Sequence, residues 1–135
     1  MAARRVGIIG FGNIGSYVYQ HFVDNPEFGI EIAFIYDLMK ERLEGLPEGL
    51  ALDRIEDFAS RDVDMVCEFA HRNVSAQYGT MFLSKVDYLP LSVTAFADAK
   101  LEKDLVETSL KTGTTLAGPP MSNPGNFSTK AGRNV

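Results

Sequence analysis

Arg5-Val6-Gly7-Ile8-Ile9-Gly10-Phe11-Gly12-Asn13-Ile14-Gly15 is the stretch whose reading decides the fold. Its first half is almost uniformly apolar, as a strand covered on both faces by helices must be. Its second half fits the G-x-G-x-x-G spacing and leads straight into Ile14, Val18 and Phe22, apolar residues four apart that mark one stripe of a helix. Asn25-Pro26 ends that helix, because a residue before proline disfavours the helical region. A second apolar run, Ile30 to Tyr36, then completes a strand, a helix and a strand. In this setting each glycine has a physical task. Gly10 turns the chain tightly out of the strand, Gly12 keeps side-chain bulk away from a pyrophosphate, and Gly15 lets the helix press on the strand. The helix N-terminus adds unpaired N–H groups and a positive dipole end, so an anion is held without a lysine in the loop. The plain alternative is a glycine-rich turn that binds nothing.

Asp37 favours the binding reading. It closes the second strand 22 residues beyond Gly15, where the dinucleotide pattern places an acidic residue about 20 residues on. Its carboxylate can accept from both hydroxyls of an adenosine ribose, each bond worth about 1.5–3 kcal/mol. A 2′-phosphate would meet it as a like charge, with a repulsion of about 4 kcal/mol at roughly 4 Å and an effective dielectric near 20. NAD is therefore the expected cofactor. Lys40 and Arg42 lie near enough in sequence to reach a 2′-phosphate if Asp37 turned away, which leaves room for NADP. The expected cofactor-facing set is Gly10, Phe11, Gly12, Asn13, Ile14, Gly15 and Asp37, with Ala70, His71 and Ser92 at the ends of later strands, because ligands of open α/β sheets sit at that edge. Ala70 and Ser92 are small enough to admit a nicotinamide ring. His71 is a conceivable base, but a loop histidine more often satisfies the backbone. No residue is assigned a catalytic or metal-binding role.

Working outward, strands are expected near 5–10, 30–36, 64–70, 86–92 and 114–117, with a short helix over 40–46 and a weak edge strand at Leu50-Ala51-Leu52. Asn73 and Asp98 are the expected caps of two further helices, running to about Ser84 and to Gly113, and Glu107 and Lys111 are spaced as an ion pair. The sequence thus predicts an α/β, Rossmann-type doubly wound fold with a mostly parallel sheet. It occupies residues 1–117, followed by a poorly structured Gly/Pro-rich tail at 118–135 with three prolines and three glycines.

Composition agrees. The 135 residues suit one domain, with 45% hydrophobic and 23% charged residues typical of globular chains. A net charge of −5 and a pI near 5.0 argue against nucleic acid and anionic membranes. Cys67 is the lone cysteine, and no apolar run approaches a membrane span, so a reducing, cytoplasmic setting is expected. Sheet edges and Phe127 in the tail leave room for a homodimer.

Over roughly residues 5–117 the chain resembles the N-terminal half of the aspartate dehydrogenase family, which includes aspartate dehydrogenase domain-containing proteins. The resemblance rests on Val6 to Gly15, on Val66-Cys67-Glu68-Phe69-Ala70-His71, and on Leu91-Ser92-Val93-Thr94-Ala95-Phe96-Ala97-Asp98. It implies hydride transfer from Cα of L-aspartate to NAD or NADP, giving an imine that hydrolyses to oxaloacetate and ammonia. It also implies a substrate domain with a catalytic histidine. Where the family enters that domain, this sequence has Gly118-Pro119-Pro120-Met121 and a polar tail. The expectation is a truncated form, a splice form or part of a longer protein, binding L-aspartate or oxaloacetate only with the missing half. The alternatives are a non-catalytic NAD-binding module or sensor, and the cofactor domain of another two-domain dehydrogenase, such as a sugar or dihydrodipicolinate reductase.

Overall fold

The computed structural model of the chain describes residues 3–91, 99–117, 129–130 and 133–134. Contacts divide the chain into two compact units, Met1–Ala70 and His71–Val135.

In the first unit, β1 (Arg4–Ile9) lies between β2 (Ile30–Tyr36) and β3 (Met65–Glu68), both parallel to it. Parallel neighbours need a crossover, and α1 (Asn13–Asp24) supplies the one between β1 and β2. Val6 to Ile9 are buried together with Phe34, Ile35, Val66 and Cys67, which accounts for the unbroken hydrophobicity of β1. The β1–β2 register slips between Val6 and Gly7, where the Phe34 ring fills the space that a side chain at residue 7 would need. Burial pushes the Cys67 thiol up to about 12, with the Arg4 charge pulling it partly back, so Cys67 is a neutral core residue. Arg5 binds the strand ends together: its Nη1 pairs with Glu31 at 2.7 Å, and its Nε donates to the Asp62 carbonyl at 2.6 Å.

The helix α1 departs from the expected stripe at its start. Gly15 is buried and Val18, Tyr19 and Phe22 are partly buried, but Ile14 is 60% exposed. Gly15 presses on the Gly10 carbonyl and so fixes the inward face one residue later than the sequence suggests. Leu50 to Leu52 do approach β2, as a single bridge of Ala51 to Ile35. The expected helix at 40–46 is a 3-10 turn, Lys40–Leu43. The 3-10 segment Ile55–Arg61 was not expected, and it buries Ile55 and Phe58.

The second unit holds α2 (Arg72–Leu83), β4 (Asp87–Pro90) and α3 (Ala99–Thr112). Buried Tyr88 donates or accepts a 2.7 Å bond with Ser75, and Phe82, Leu83 and Leu105 are buried in the same unit. The strand expected at 114–117 is one parallel bridge, Leu116 to Tyr88. Gly113 takes a left-handed φ of 76° and ends α3 as expected. Glu107 pairs with Lys103 at 3.9 Å rather than with Lys111, an exposed contact worth little. In the tail, Thr129–Lys130 and Arg133–Asn134 pair antiparallel. Ser92, the Asp98 cap and Phe127 lie outside the described residues.

The architecture is the expected Rossmann-type α/β fold, with parallel strands alternating with helices. No helix among the described residues is long and apolar enough to cross a membrane, and no group of three or more metal-ligating side chains occurs among them.

Candidate functional site

The glycine loop runs from the end of β1 into α1. Gly10 adopts φ +98°, donates its N–H to the Tyr36 carbonyl at 2.8 Å, and has Ala70 so close that a Cβ on it would stand 2.9 Å from the Ala70 nitrogen. Both the backbone conformation and the lack of space require glycine there. Gly15 is fixed by contact, since a Cβ would overlap the Gly10 carbonyl oxygen. Gly12 is different: a Cβ there would meet only the Arg42 Nη1, at 3.6 Å. Its crest is open, and as the N-cap of α1 it brings no side-chain acceptor to the first-turn N–H groups. Asn13 and Ile14 begin that turn with exposed side chains, and Phe11 packs edge-on against Tyr19 at 5.8 Å. An uncapped N-terminus with a bare approach suits the phosphates of a dinucleotide.

Asp37 is 6% exposed and joins three parts of this cluster. Its Oδ2 accepts from the Phe11 N–H at 2.7 Å and from Arg42 Nη1 at 3.3 Å, and its Oδ1 accepts from the Met39 N–H at 2.7 Å. The sequence placed the carboxylate correctly but gave no sign of these backbone partners. It named Arg42 beside Lys40 but not the place of its guanidinium next to Gly12, and it missed Leu38, an apolar side chain 83% exposed that follows Asp37 in sequence. An apolar residue directly after the acid was the available signal for Leu38.

At the end of β3, buried Glu68 accepts the Ala70 N–H at 2.6 Å and so holds the backbone that abuts Gly10. His71, in the second unit, serves the backbone: its Nδ1 accepts from the Asn73 N–H at 3.1 Å, which makes His71 the N-cap of α2 in place of the expected Asn73. An open groove of about 620 Å³ lined by Tyr19, Phe22, Ile30, Ile32 and Leu50 contains none of the expected site residues.

Strand, glycine turn, uncapped helix and terminal aspartate together define a Rossmann dinucleotide-binding domain. The family described as homoserine dehydrogenase, NAD binding domain, matches residues 10–119, and the chain belongs to that family of NAD-binding domains. It is 33% identical over 119 residues to the aspartate dehydrogenase domain-containing protein of Danio rerio, covering 87% of this chain and 43% of that protein. Among solved structures, the aspartate dehydrogenase of Thermotoga maritima is 26% identical with a TM-score of 0.66, covering 86% of this chain and 45% of that one. The WlbA dehydrogenase of Chromobacterium violaceum, in complex with NADH and UDP-GlcNAcA, has a TM-score of 0.77 over 93% of this chain and 37% of that one; at 12% identity the likeness concerns the fold alone. The chain spans less than half the length of each of these relatives. The likeness to aspartate dehydrogenases agrees with the resemblance expected from the motifs.

Proposed function

We propose that this chain is the cofactor half of an L-aspartate dehydrogenase-like oxidoreductase working in the cytoplasm. The observation that carries the reading is the open crest at Gly12 set in one cluster with the buried Asp37 carboxylate. The aspartate dehydrogenase relatives narrow the chemistry. In this reading residues 1–117 form the dinucleotide-binding domain and 118–135 a tail. The loop from Gly10 through Phe11, Gly12, Asn13 and Ile14 to Gly15 receives the two phosphates, and Asp37 receives the adenosine ribose. Leu38 offers the adenine an apolar face, and Ala70, small and set against Gly10, leaves room for the nicotinamide end. When bound, the nicotinamide supplies a hydride acceptor for Cα of L-aspartate, whose imine hydrolyses to oxaloacetate and ammonia.

The groups that hold aspartate and move its proton belong to a second half, because closing on a substrate and excluding water takes a lid or a facing domain. Calorimetric titration of the purified chain with NAD and with NADP, followed by addition of L-aspartate and measurement of reduced-nicotinamide absorbance, tests this. The expected result is saturable NAD binding without steady reduction. Absence of saturation with either dinucleotide would sink the binding assignment, and sustained reduction would show that the chemistry needs no second half.

A further inference from the structure

β2 stands last in its sheet, and among the described residues its outer side meets only the single parallel bridge from Ile35 to Ala51. Residues 47–50, which would carry that bridge back along the first half of β2, close a turn instead: the Leu50 N–H donates to the Pro47 carbonyl at 3.2 Å and Gly49 takes φ +84°. The strand edge left uncovered borders the open groove of about 620 Å³, whose apolar floor includes Tyr19, Phe22 and Ile32. The apolar surface continues past the groove, through Val23, 50% exposed, and through the Phe22 ring to Phe28, 56% exposed. Charge adds a second feature. Glu31 and Glu48 line the groove, both exposed, and no lysine or arginine is among the described residues that line it. The two features fall on opposite faces of β2. Ile32 packs with Tyr19 and Leu50 on the Ile8 and Ile35 core, whereas Glu31, next to it along the strand, points the other way. There one Glu31 oxygen pairs with Arg5 at 2.7 Å and the side chain stays 57% exposed.

We propose that the outer edge of β2 docks an extended segment of a partner protein in which apolar residues alternate with lysine or arginine. The segment adds a strand to the sheet, so its backbone supplies the ladder that the turn at 47–50 withholds, and its side chains supply the selectivity. Residues level with Ile32 rest on Tyr19 and Phe22, and those between them meet Glu31 on the opposite face. Charge decides against a second copy as the occupant. The chain carries a net charge of −5, and two such edges brought together would set Glu31 and Glu48 against the same carboxylates. The groove reaches Ala3, Gly29 and Ile30, at the starts of β1 and β2, while the glycine loop and Asp37 follow their ends. Docking there leaves the loop open, and the inference does not depend on what the loop binds.

The probe is an end-blocked peptide of alternating valine and lysine, as long as the seven residues of β2. Titrated into the isotope-labelled chain at one fixed salt concentration, it should shift the amide signals of Ile30, Glu31, Ile32 and Leu50 saturably. The same peptide with its backbone nitrogens methylated keeps its charge but cannot donate to the edge, and it should bind at least about tenfold more weakly. With glutamate in place of lysine, binding should be lost. In the chain, Glu48→Lys changes an exposed loop residue without touching the core, and it should weaken the lysine peptide by about fivefold. Phe22→Ala, checked for folding by the same spectra, should weaken it further by removing the apolar floor. Equal binding of the methylated peptide would reduce the effect to charge attraction and overturn the proposal. It is equally overturned by equal binding of the glutamate peptide, by unchanged affinity in Glu48→Lys, or by the absence of saturable shifts along β2. Sedimentation of the chain alone completes the test: a concentration-dependent dimer that dissociates in Phe22→Ala would give the groove to a second copy.

Discussion

Two helices of this chain begin just after a strand, and they treat their N-termini in opposite ways. At α1 the capping position is Gly12, which has no side chain, so the first-turn N–H groups face an open crest. At α2 the same position is His71, whose Nδ1 takes the Asn73 N–H and whose carbonyl takes the Val74 N–H at 2.9 Å. Every helix start carries unpaired donors and a positive dipole end. In α2 one of these is satisfied by the His71 side chain, whereas at α1 the capping residue offers no side-chain acceptor. One residue type at the cap thus decides whether a side chain of the chain itself meets the first-turn donors.

The largest effect is expected from closing the open end. Gly12→Val should lower NAD affinity by at least about a hundredfold, since the branched side chain occupies the approach and forfeits two or more charge-assisted bonds. The fold should survive. Gly12 has φ −84° and ψ −150°, so no positive φ demands glycine there, and a Cβ would meet only the Arg42 Nη1, at 3.6 Å. Thermal unfolding should then shift by less than about 1 kcal/mol in stability. Retained affinity in a folded Gly12→Val chain would show that the phosphates do not cross this crest, and the contrast between the two helix starts would lose its meaning.

The open end was legible in the sequence for a simple reason. Its signal is local: three glycines at fixed spacing, an apolar strand before them and an apolar helix stripe after them. The position of Asp37 was legible too, because strand and helix lengths vary little in such units. What the carboxylate does within the free protein was hidden, because its partner Phe11 lies 26 residues away and is bound through the backbone N–H, which every residue but proline possesses. Arg42 was one of two cations near enough in sequence, and only the direction of its side chain separated it from Lys40. At α2 the expectation failed because asparagine is the commoner cap, and nothing in the His71-Arg72-Asn73 string says that the histidine faces backward onto the helix. The 3-10 segment Ile55–Arg61 was missed because one buried pair at i and i+3 is too short a pattern to carry a period.

A middle-sized effect belongs to Asp37, which braces the glycine loop through the Phe11 N–H and is the proposed acceptor for the sugar. Asp37→Ala should weaken NAD by more than it weakens NADP, and it should also lower stability by about 1–3 kcal/mol, because the Phe11 and Met39 N–H groups lose their acceptor. Asp37→Asn retains an acceptor oxygen, so it should recover part of the stability while still binding NAD less well. Equal losses for both dinucleotides in Asp37→Ala, with affinity restored in parallel with stability in Asp37→Asn, would mean that the aspartate only braces the loop.

The smallest effect is expected at the closed end. His71→Ala removes the acceptor from α2 and should cost about 1 kcal/mol of stability, with NAD affinity falling by less than about threefold. His71→Asn should return most of the stability, since asparagine is among the best N-caps. Measured together by denaturant unfolding and NAD titration, the two variants separate the capping role of the imidazole from any role toward the cofactor. If His71→Ala weakens NAD as severely as Gly12→Val, and His71→Asn restores the stability but not the binding, then the histidine contributes directly to the ligand and the second helix start is not closed in the sense argued here.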